Sequence, residues 1–455
     1  MKTRNILALL LALAMVFSLT ACNGTADTAD TTEAAATETT TTTTDTADDT
    51  AAAETVTGPI TLSAWAWLTN VDALQEAAAE YEELTGIQVV LDIEAVAAAD
   101  ILTNLTTCCE SGDVSSLPDI ILMQDTDAYK YMANYPDLLY NVSDYVDWTQ
   151  VAEAKAALTS YDGAHYGIPF DSGSSIAMYR TDILAQAGYT IDDLTDITWD
   201  RLIEIGEDLY AKTGYYLLTD SWEMVLAQII SSTGTSLFND DGSANLVGNE
   251  AVAASMAIYK EAVDKNVIYI ASDWNDYVAS FNGGAVAAGV INGCWIAMSV
   301  NAATDQAYLW DTTNIPNVSA VSGSTHYTNY GGSSWYVLNK SENADAAAQF
   351  LAYMFSGEGT TTYVDYMTDT LKFITTYQPV VNAGYYDDVD DGFYAAGFWT
   401  KVAQAAAGAP VFKTSVMYAS TFSYITAAMQ EVLEGGDLDT AISNAQASVD
   451  FEFAG

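Results

Sequence analysis

ITLSAWAWLTNVDALQEAAAEYEELTGIQVVLDI, residues 60–93, carries the reading of the fold. Ile60, Leu62 and Ala64 alternate as one face of a strand does. Val71, Leu74, Ala78, Tyr81 and Leu84 then recur at helical spacing, and Ile87, Val89, Leu91 and Ile93 alternate again. Gly86 supplies a helix stop between the two patterns. A strand, a helix and a strand joined by short connections favour a right-handed crossover with parallel strands, and so an α/β lobe. The next apolar run, Leu117 to Met123, is continuous, as in a strand buried on both faces. Gln124 and Asp125 follow at its carboxyl end, the edge at which open α/β sheets bind ligands.

Working outward, helices keep alternating with short apolar runs. Val252, Met256, Tyr259 and Val263 predict a helix stopped near Asn266, and Val286 to Ile291 predicts a strand. Asn343 stands where an N-cap belongs, before a helix buried through Ala347, Leu351, Met354 and Phe355 and closed by Gly357. Two further stripes, Phe422, Ile425, Met429, Val432, Leu433 and Leu438, Ala441, Ile442, Ala445, Val449, flank Gly435-Gly436 and predict a helix pair. No solenoid-like repeat is visible.

The 455 residues allow two or three domains, and 50% apolar content with only 16% charged residues predicts that most of the chain folds. There are 61 acidic against 13 basic side chains, a net charge of −48. Such a surface repels phosphate backbones, which excludes nucleic acid as a partner. With His165 and His326 as the sole histidines, multi-histidine metal sites and histidine-dependent triads start from little.

Lys2 and Arg4 precede an apolar run from Ile6 to Phe17, shorter than the ~20 residues a spanning helix needs. Residues 1–21 therefore read as a signal peptide. Leu19-Thr20-Ala21-Cys22 resembles the bacterial lipobox, which makes Cys22 the lipidated first residue of the mature chain and places the protein on the outer face of the cell membrane. Residues 22–58 form a tether of Thr, Ala and acids, with eight acidic and no basic side chains from Asn23 to Gly58. With nothing to pack, it should stay solvated and reach ~30–35 Å.

Several stretches occur in the order found in the extracellular solute-binding proteins of ATP-driven importers, specifically the sugar-binding family that includes maltose-binding proteins. They are YEELTGIQVVLDI (81–93), LPDIILMQDTDAYKYM (117–132), DGAHYGIPFDSGSSIAMYR (162–180), TWDRLIEIGEDL (198–209), FNGGAVAAGVINGCW (281–295) and GGSSWYVLNKSENADAAAQFLAYM (331–354), followed by the terminal helix pair. The chain resembles that family over nearly all of Thr61 to Val449. The resemblance implies two α/β lobes, each a mixed sheet flanked by helices, closing on a solute through a hinge. The first lobe is expected at 59–170 plus 332–378 and the second at 171–331 plus 379–455, with crossings near Asp171, Gly331 and Pro379. It also implies a monomer that captures a neutral sugar, an oligosaccharide given the surplus of aromatics, and delivers it to the permease subunits of an ABC transporter. No enzymatic activity and no cofactor are implied.

A sugar offers an apolar C–H face and a rim of hydroxyls, so its site needs flat aromatic platforms beside carboxylates, amides and backbone groups. Trp65 and Trp67 both occur at the carboxyl end of the first strand and share a parity; Trp67, nearer the loop, is the candidate. Gln124 and Asp125 are candidates at the matching position, with Asp125 alternatively capping the helix that begins at Thr126 or Asp127. Trp295 ends a run resembling the family's Asn-Gly-x-Trp strand, where the tryptophan stacks on sugar. Asp171 is either an acceptor for a ligand hydroxyl or a carboxylate capping the hinge. Trp222, Gly332, Trp335 and Tyr386 complete the set; Gly332 lacks a Cβ and so admits close approach, whereas Trp335 also begins a buried strand. Phe422 fits its helix's core stripe and is set aside.

The acid run Asp387-Asp388-Val389-Asp390-Asp391-Gly392 places Val389 and Phe398 where a calcium loop needs oxygen ligands, and fails as one. Adjacent Cys108 and Cys109 with a distant Cys294 form no C-x-x-C motif; whether any of them pairs stays open. No nucleotide-binding or hydrolase motif occurs. Three rival functions remain: a binding protein for a polyamine or other cation, a surface glycoside hydrolase, and an iron binder using Tyr385-Tyr386.

Overall fold

In the computed structural model residues 58–283, 286–411 and 413–454 are described. The signal peptide, Cys22 and the tether all lie outside them. Among the described residues ten strands matter: β1 (Ile60–Ala66), β2 (Val89–Ala95), β3 (Ile120–Gln124), β4 (Gly167–Pro169), β5 (Ser175–Arg180), β6 (Leu218–Asp220), β7 (Ile268–Ile270), β8 (Gly289–Gly293), β9 (Trp310–Thr313) and β10 (Ser333–Val337). They form two five-stranded sheets, ordered β2-β1-β3-β10-β4 and β9-β5-β8-β6-β7.

The opening stretch folds as its periodicities dictate. In β1 the side chains of Ile60, Leu62, Ala64 and Ala66 point inward, and β2 runs parallel to it in a register that pairs Ile60 with Val89. Between them α1 (Asn70–Thr85) buries Ala73, Leu74, Ala77, Ala78 and Tyr81 and ends at Gly86, whose φ of 76° only glycine adopts without strain. Ile87 falls just before β2. In β3 Ile120 to Met123 are all buried, which accounts for the continuous apolar run. β3 is parallel to β1, while β10 runs antiparallel to both β3 and β4. In the second sheet β6 is parallel to β7 and β8, and β5 antiparallel to β8 and β9.

Helices cover both sheets: α2 (Asp125–Asn134), α3 (Glu153–Leu158), α4 (Met224–Ser232), α5 (Glu250–Asp264), α6 (Trp274–Asn282), α7 (Ala344–Ser356), α8 (Phe398–Gly408), α9 (Tyr418–Leu433) and α10 (Leu438–Glu452). The first core gathers Leu62, Leu74 and Ile120 with Phe350 and Leu351 of α7. The second gathers Leu218, Ile291, Ile229 and Met256 with Ile425 and Met429 of α9. Each such Leu or Ile, fully buried, contributes about 1.5–3 kcal/mol. Asn343 does precede α7, but its amide donates to the Thr61 carbonyl (3.1 Å) and does not cap the helix. The strand expected at Val286 to Ile291 starts at Gly289, two residues beyond the isolated bridge Tyr216–Ala287.

The chain leaves the first sheet after Pro169, enters the second at Ser175, and returns from β9 to β10 at Ser333. These crossings lie side by side: Tyr330 N–H donates to Gly173 O (2.6 Å), and Ser172 N–H to Ile374 O (3.1 Å). A Cβ on Gly173 would collide with the Gly331 carbonyl, so glycine is obligatory where the segments touch.

Candidate ligand-binding cleft

In the first sheet β1 and β3 are parallel, and in the second β6, β7 and β8 are, so each set ends at one edge. The residues that follow those ends line one cleft of about 740 Å³. That is within the roughly 300–1,000 Å³ of small-molecule sites. Trp67 to Asn70 follow β1, Gln124 ends β3, and Trp222 to Met224 follow β6. Trp274 follows β7 and Trp295 follows β8. The crossings contribute Asp171, Asn329, Tyr330 and Gly332, and α9 contributes Tyr418 and Phe422. The walls touch where Thr69 Oγ1 meets Met298 Sδ at 3.7 Å.

Trp295 is held in place from behind. Its Nε1 donates to the Tyr330 carbonyl at 3.0 Å, and the ring can fold back there because Gly293 has no Cβ to obstruct it. Trp274 lies 6.3 Å from it between ring centroids, and Trp222 lies 6.4 Å from Trp274 with the two planes within 6°. Three indoles thus form a continuous row on the wall.

The charged groups of the lining are all acidic, among hydroxyls and amides that can both donate and accept. Asp127, Asp171 and Glu223 line the cleft, and no Lys or Arg is among the lining residues. Burial pushes the Asp127 carboxyl up to about 6, against the pull of Lys130. Burial likewise lifts Asp171 to about 6, against the nearby Lys155 ammonium and the Ser333 N–H that donates to it at 2.7 Å. Burial raises Glu223 as well.

Of the sequence-predicted residues, Trp67, Gln124, Asp171, Trp222, Trp295 and Gly332 come together in this cleft. Asp171 lines the cleft, and its carboxylate accepts from Ser333 N–H at the second crossing. Gly332, at φ 89°, lines the cleft, but its missing Cβ is required by the protein itself: the added atom would sit 2.9 Å from Gly173 N.

Three candidates are corrected. Asp125 is neither on the cleft wall nor a cap: it is buried, paired with Lys155 Nζ at 2.6 Å, and its other oxygen accepts from Ser334 Oγ at 2.6 Å. Trp335 points into the first core between Phe170 and Phe355, because β10 is a central strand and its alternation sends this ring inward. Tyr386 is buried beside Trp399, with its hydroxyl accepting from Thr375 N–H at 3.0 Å. Trp65, the penultimate residue of β1, packs against the cluster of Ile121, Met123 and Tyr336.

Sequence reasoning missed Trp274, Tyr330, Asp127 and Glu223 and set Phe422 aside. Trp274 was within reach of the rule that found Trp67, for it too follows the carboxyl end of a parallel strand. Phe422 lies at the edge of its helix stripe and serves core and cleft together.

The acid run binds nothing in common: Asp391 pairs with Lys372 at 3.0 Å, and among the described residues no group of three or more His, Cys, Asp or Glu could hold a metal. Cys108, Cys109 and Cys294 are free, and the Cys294 thiol is buried and donates to the Ser172 carbonyl.

Two mixed sheets flanked by helices, crossed by paired hinge segments and opening on a cleft at their shared edge, define a two-lobed binding protein of the maltose-binding-protein type. The chain belongs to the bacterial extracellular solute-binding family, whose model matches residues 76–388. A lactose-binding protein of Rhizobium radiobacter is 37% identical over 301 residues, 66% of this chain and 71% of the relative. An arabinooligosaccharide-binding protein of Halalkalibacterium halodurans is 23% identical over 310 residues, 66% of this chain and 68% of the relative. Among solved structures, the binding protein of B. animalis subsp. lactis in complex with β-1,6-galactobiose superposes with a TM-score of 0.70 at 21% identity, covering 86% of this chain and 97% of the other. The GacH receptor of Streptomyces glaucescens, solved unliganded and with acarbose, gives 0.69 at 19% identity over 87% and 98%.

Proposed function

We propose that this chain is the substrate-binding lipoprotein of an ABC importer, that it captures a neutral oligosaccharide in the cleft, and that it hands the sugar to a membrane permease. The observation that carries the sugar reading is the cleft wall: four indoles, Trp67, Trp222, Trp274 and Trp295, stand beside carboxylates and amides with no basic group among the lining residues. Indole faces take the C–H face of a pyranose, and the acceptors take its hydroxyls. The names of the relatives above, which bind lactose and arabinooligosaccharides, agree with this chemistry.

Anchoring follows from the lipobox at Cys22, and lobes at 59–170 plus 332–378 and 171–331 plus 379–455 supply the closing motion. Ligand contacts reach both lobes in the closed state alone, so binding shifts the hinge equilibrium by that difference in affinity. The protein acts without cofactor, as a monomer, and without hydrolysing its ligand.

The three cleft carboxylates also suit a cationic solute such as a polyamine. Titration calorimetry with a glycan panel and with polyamines, at low and high ionic strength, separates the two. A sugar whose affinity is unchanged by salt is the expected result. Binding of polyamines alone, weakened by salt, would replace the reading, and shortened glycan products would convert the protein into a hydrolase.

A further inference from the structure

Helix α4 starts without a cap of its own. Glu223 stands at its N-cap position, yet the Glu223 side chain makes no capping bond, although the leading N–H groups of a helix need acceptors. Asp220, the last residue of β6, takes over that task from outside the turn. Its Oδ1 accepts from Val225 N–H in the first turn of α4 (3.2 Å) and from Ser221 N–H (2.9 Å). Its Oδ2 accepts from the Tyr259 hydroxyl of α5 (2.7 Å), which fixes the carboxylate from behind, and its carbonyl accepts from Ala271 N–H just after β7 (2.8 Å). Asp220 is fully buried and is not among the residues that line the cleft.

What these bonds hold is a strained turn. Trp222 and Glu223 adopt consecutive left-handed conformations, φ 55° and 54°, which residues with a Cβ adopt at a cost, and no glycine relieves the segment. Both side chains reach the cleft, Trp222 with its plane within 6° of that of Trp274, Glu223 buried with Gln430 of α9 as its neighbour. A carboxylate that capped α4 from position 223 would be turned back on the helix's own N–H groups. With Asp220 capping in its stead, the Glu223 carboxylate is free to face the cleft.

We propose that Asp220 is a positioning residue for ligand capture: without touching the ligand, it sets the affinity of the cleft by holding the turn at 221–223 in its left-handed form. This rests on the sugar reading given above. Backbone strain persists only where the surroundings over-determine it, and three hydrogen bonds to one enclosed carboxylate do so here. Released from Asp220, the turn relaxes to ordinary backbone conformations, and Trp222 and Glu223 leave their places together.

The test is a mutant cycle read by calorimetry, with lactose, maltotriose and arabinotriose as probes. Asp220→Ala is expected to weaken the tightest-bound probe by about thirtyfold, the loss of one stacking contact and one hydrogen bond together. Asp220→Asn should recover the affinity to within about threefold of the parent, because the amide oxygen still accepts from both N–H groups while its NH2 donates to the Tyr259 oxygen. In a background of Trp222→Ala with Glu223→Ala, which itself binds more weakly than the parent, Asp220→Ala should cost no more than about twofold further. A merely structural Asp220 would cost the same factor in both backgrounds; that result overturns the proposal, as does an Asp220→Ala protein that binds like the parent. If Asp220→Ala does not fold, Tyr259→Phe takes its place in the cycle, with a loss of about threefold expected in the parent and none in the other background. An additive cycle in a protein that binds a probe overturns the positioning role and leaves the sugar reading standing, whereas a parent that binds none of the three probes overturns both.

Discussion

At the scale of the residue, Asp220 shows how burial controls charge. It is fully enclosed beneath the Trp222 turn, and desolvation pushes its carboxyl up to about 7 in spite of three hydrogen bonds. Asp127 and Asp171 are lifted to about 6 for the same reason. The unfolded chain releases these protons near pH 4, so between pH 4 and 7 the folded state binds more protons, and stability falls as pH rises. Each group contributes a slope of about 1.4 kcal/mol per pH unit across its own window. Melting should therefore be highest near pH 4, decline to about pH 7 and change little beyond it through these groups, and Asp220→Asn should flatten the decline between pH 4 and 7. Calorimetry that shows a variant slope equal to the parent's would remove Asp220 from this role.

Among the elements, the decisive one is α3, a short helix whose Lys155 ammonium is buried. Its Nζ donates to Asp125 Oδ2 at 2.6 Å, to the Asp171 carbonyl at 2.8 Å and to the Ser333 carbonyl at 2.6 Å. One cation thereby ties the start of α2 to both crossings between the sheets. Removing one member of a buried pair strands the other's charge and costs about 3–5 kcal/mol, whereas removing both together costs far less. Lys155→Met should destabilise the protein by that amount in urea unfolding, and Lys155→Met with Asp125→Leu should recover most of it. A double variant no more stable than the single would mean that the two charges are not coupled. Gly332→Ala probes the same junction from the backbone: its φ of 89° and the 2.9 Å approach to Gly173 N leave no room for a methyl group. Expected is a loss of roughly 1–3 kcal/mol together with altered sugar affinity.

For the whole molecule, the two sheets meet through adjacent crossings and a cleft that both walls line, a geometry that suits the closure proposed above. Saturating a bound sugar should contract the radius of gyration in small-angle scattering. Unchanged dimensions with and without a sugar that calorimetry shows to bind would exclude lobe closure as the response. The charge of −48 acts at this scale also: it is expected to repel anionic partners, and the affinity of an uncharged sugar is expected to be the same at low and high salt.

What the sequence determined by itself is whatever repeats locally. Period-two and helical spacings from Ile60 to Ile93 specify β1, α1 and β2, because alternation and face are properties of neighbouring residues. The edge rule located Trp67 and Gln124, since the carboxyl end of a strand can be read from where its apolar run stops, whereas Trp295 came from the resemblance to the family's Asn-Gly-x-Trp strand. The tertiary structure decided everything that depends on a partner distant in the chain. Lys155 carried no local signal, yet it claims Asp125 for the hinge across thirty positions. Trp335 and Tyr386 went to the cores because the strand order and the packing of α8, not their own neighbours, fix which side of each is wet. Trp274 joined the site only when β7 took its place at the parallel edge beside β6. Which strands lie side by side is a matter of pairing over long loops, and spacing along the chain does not encode it.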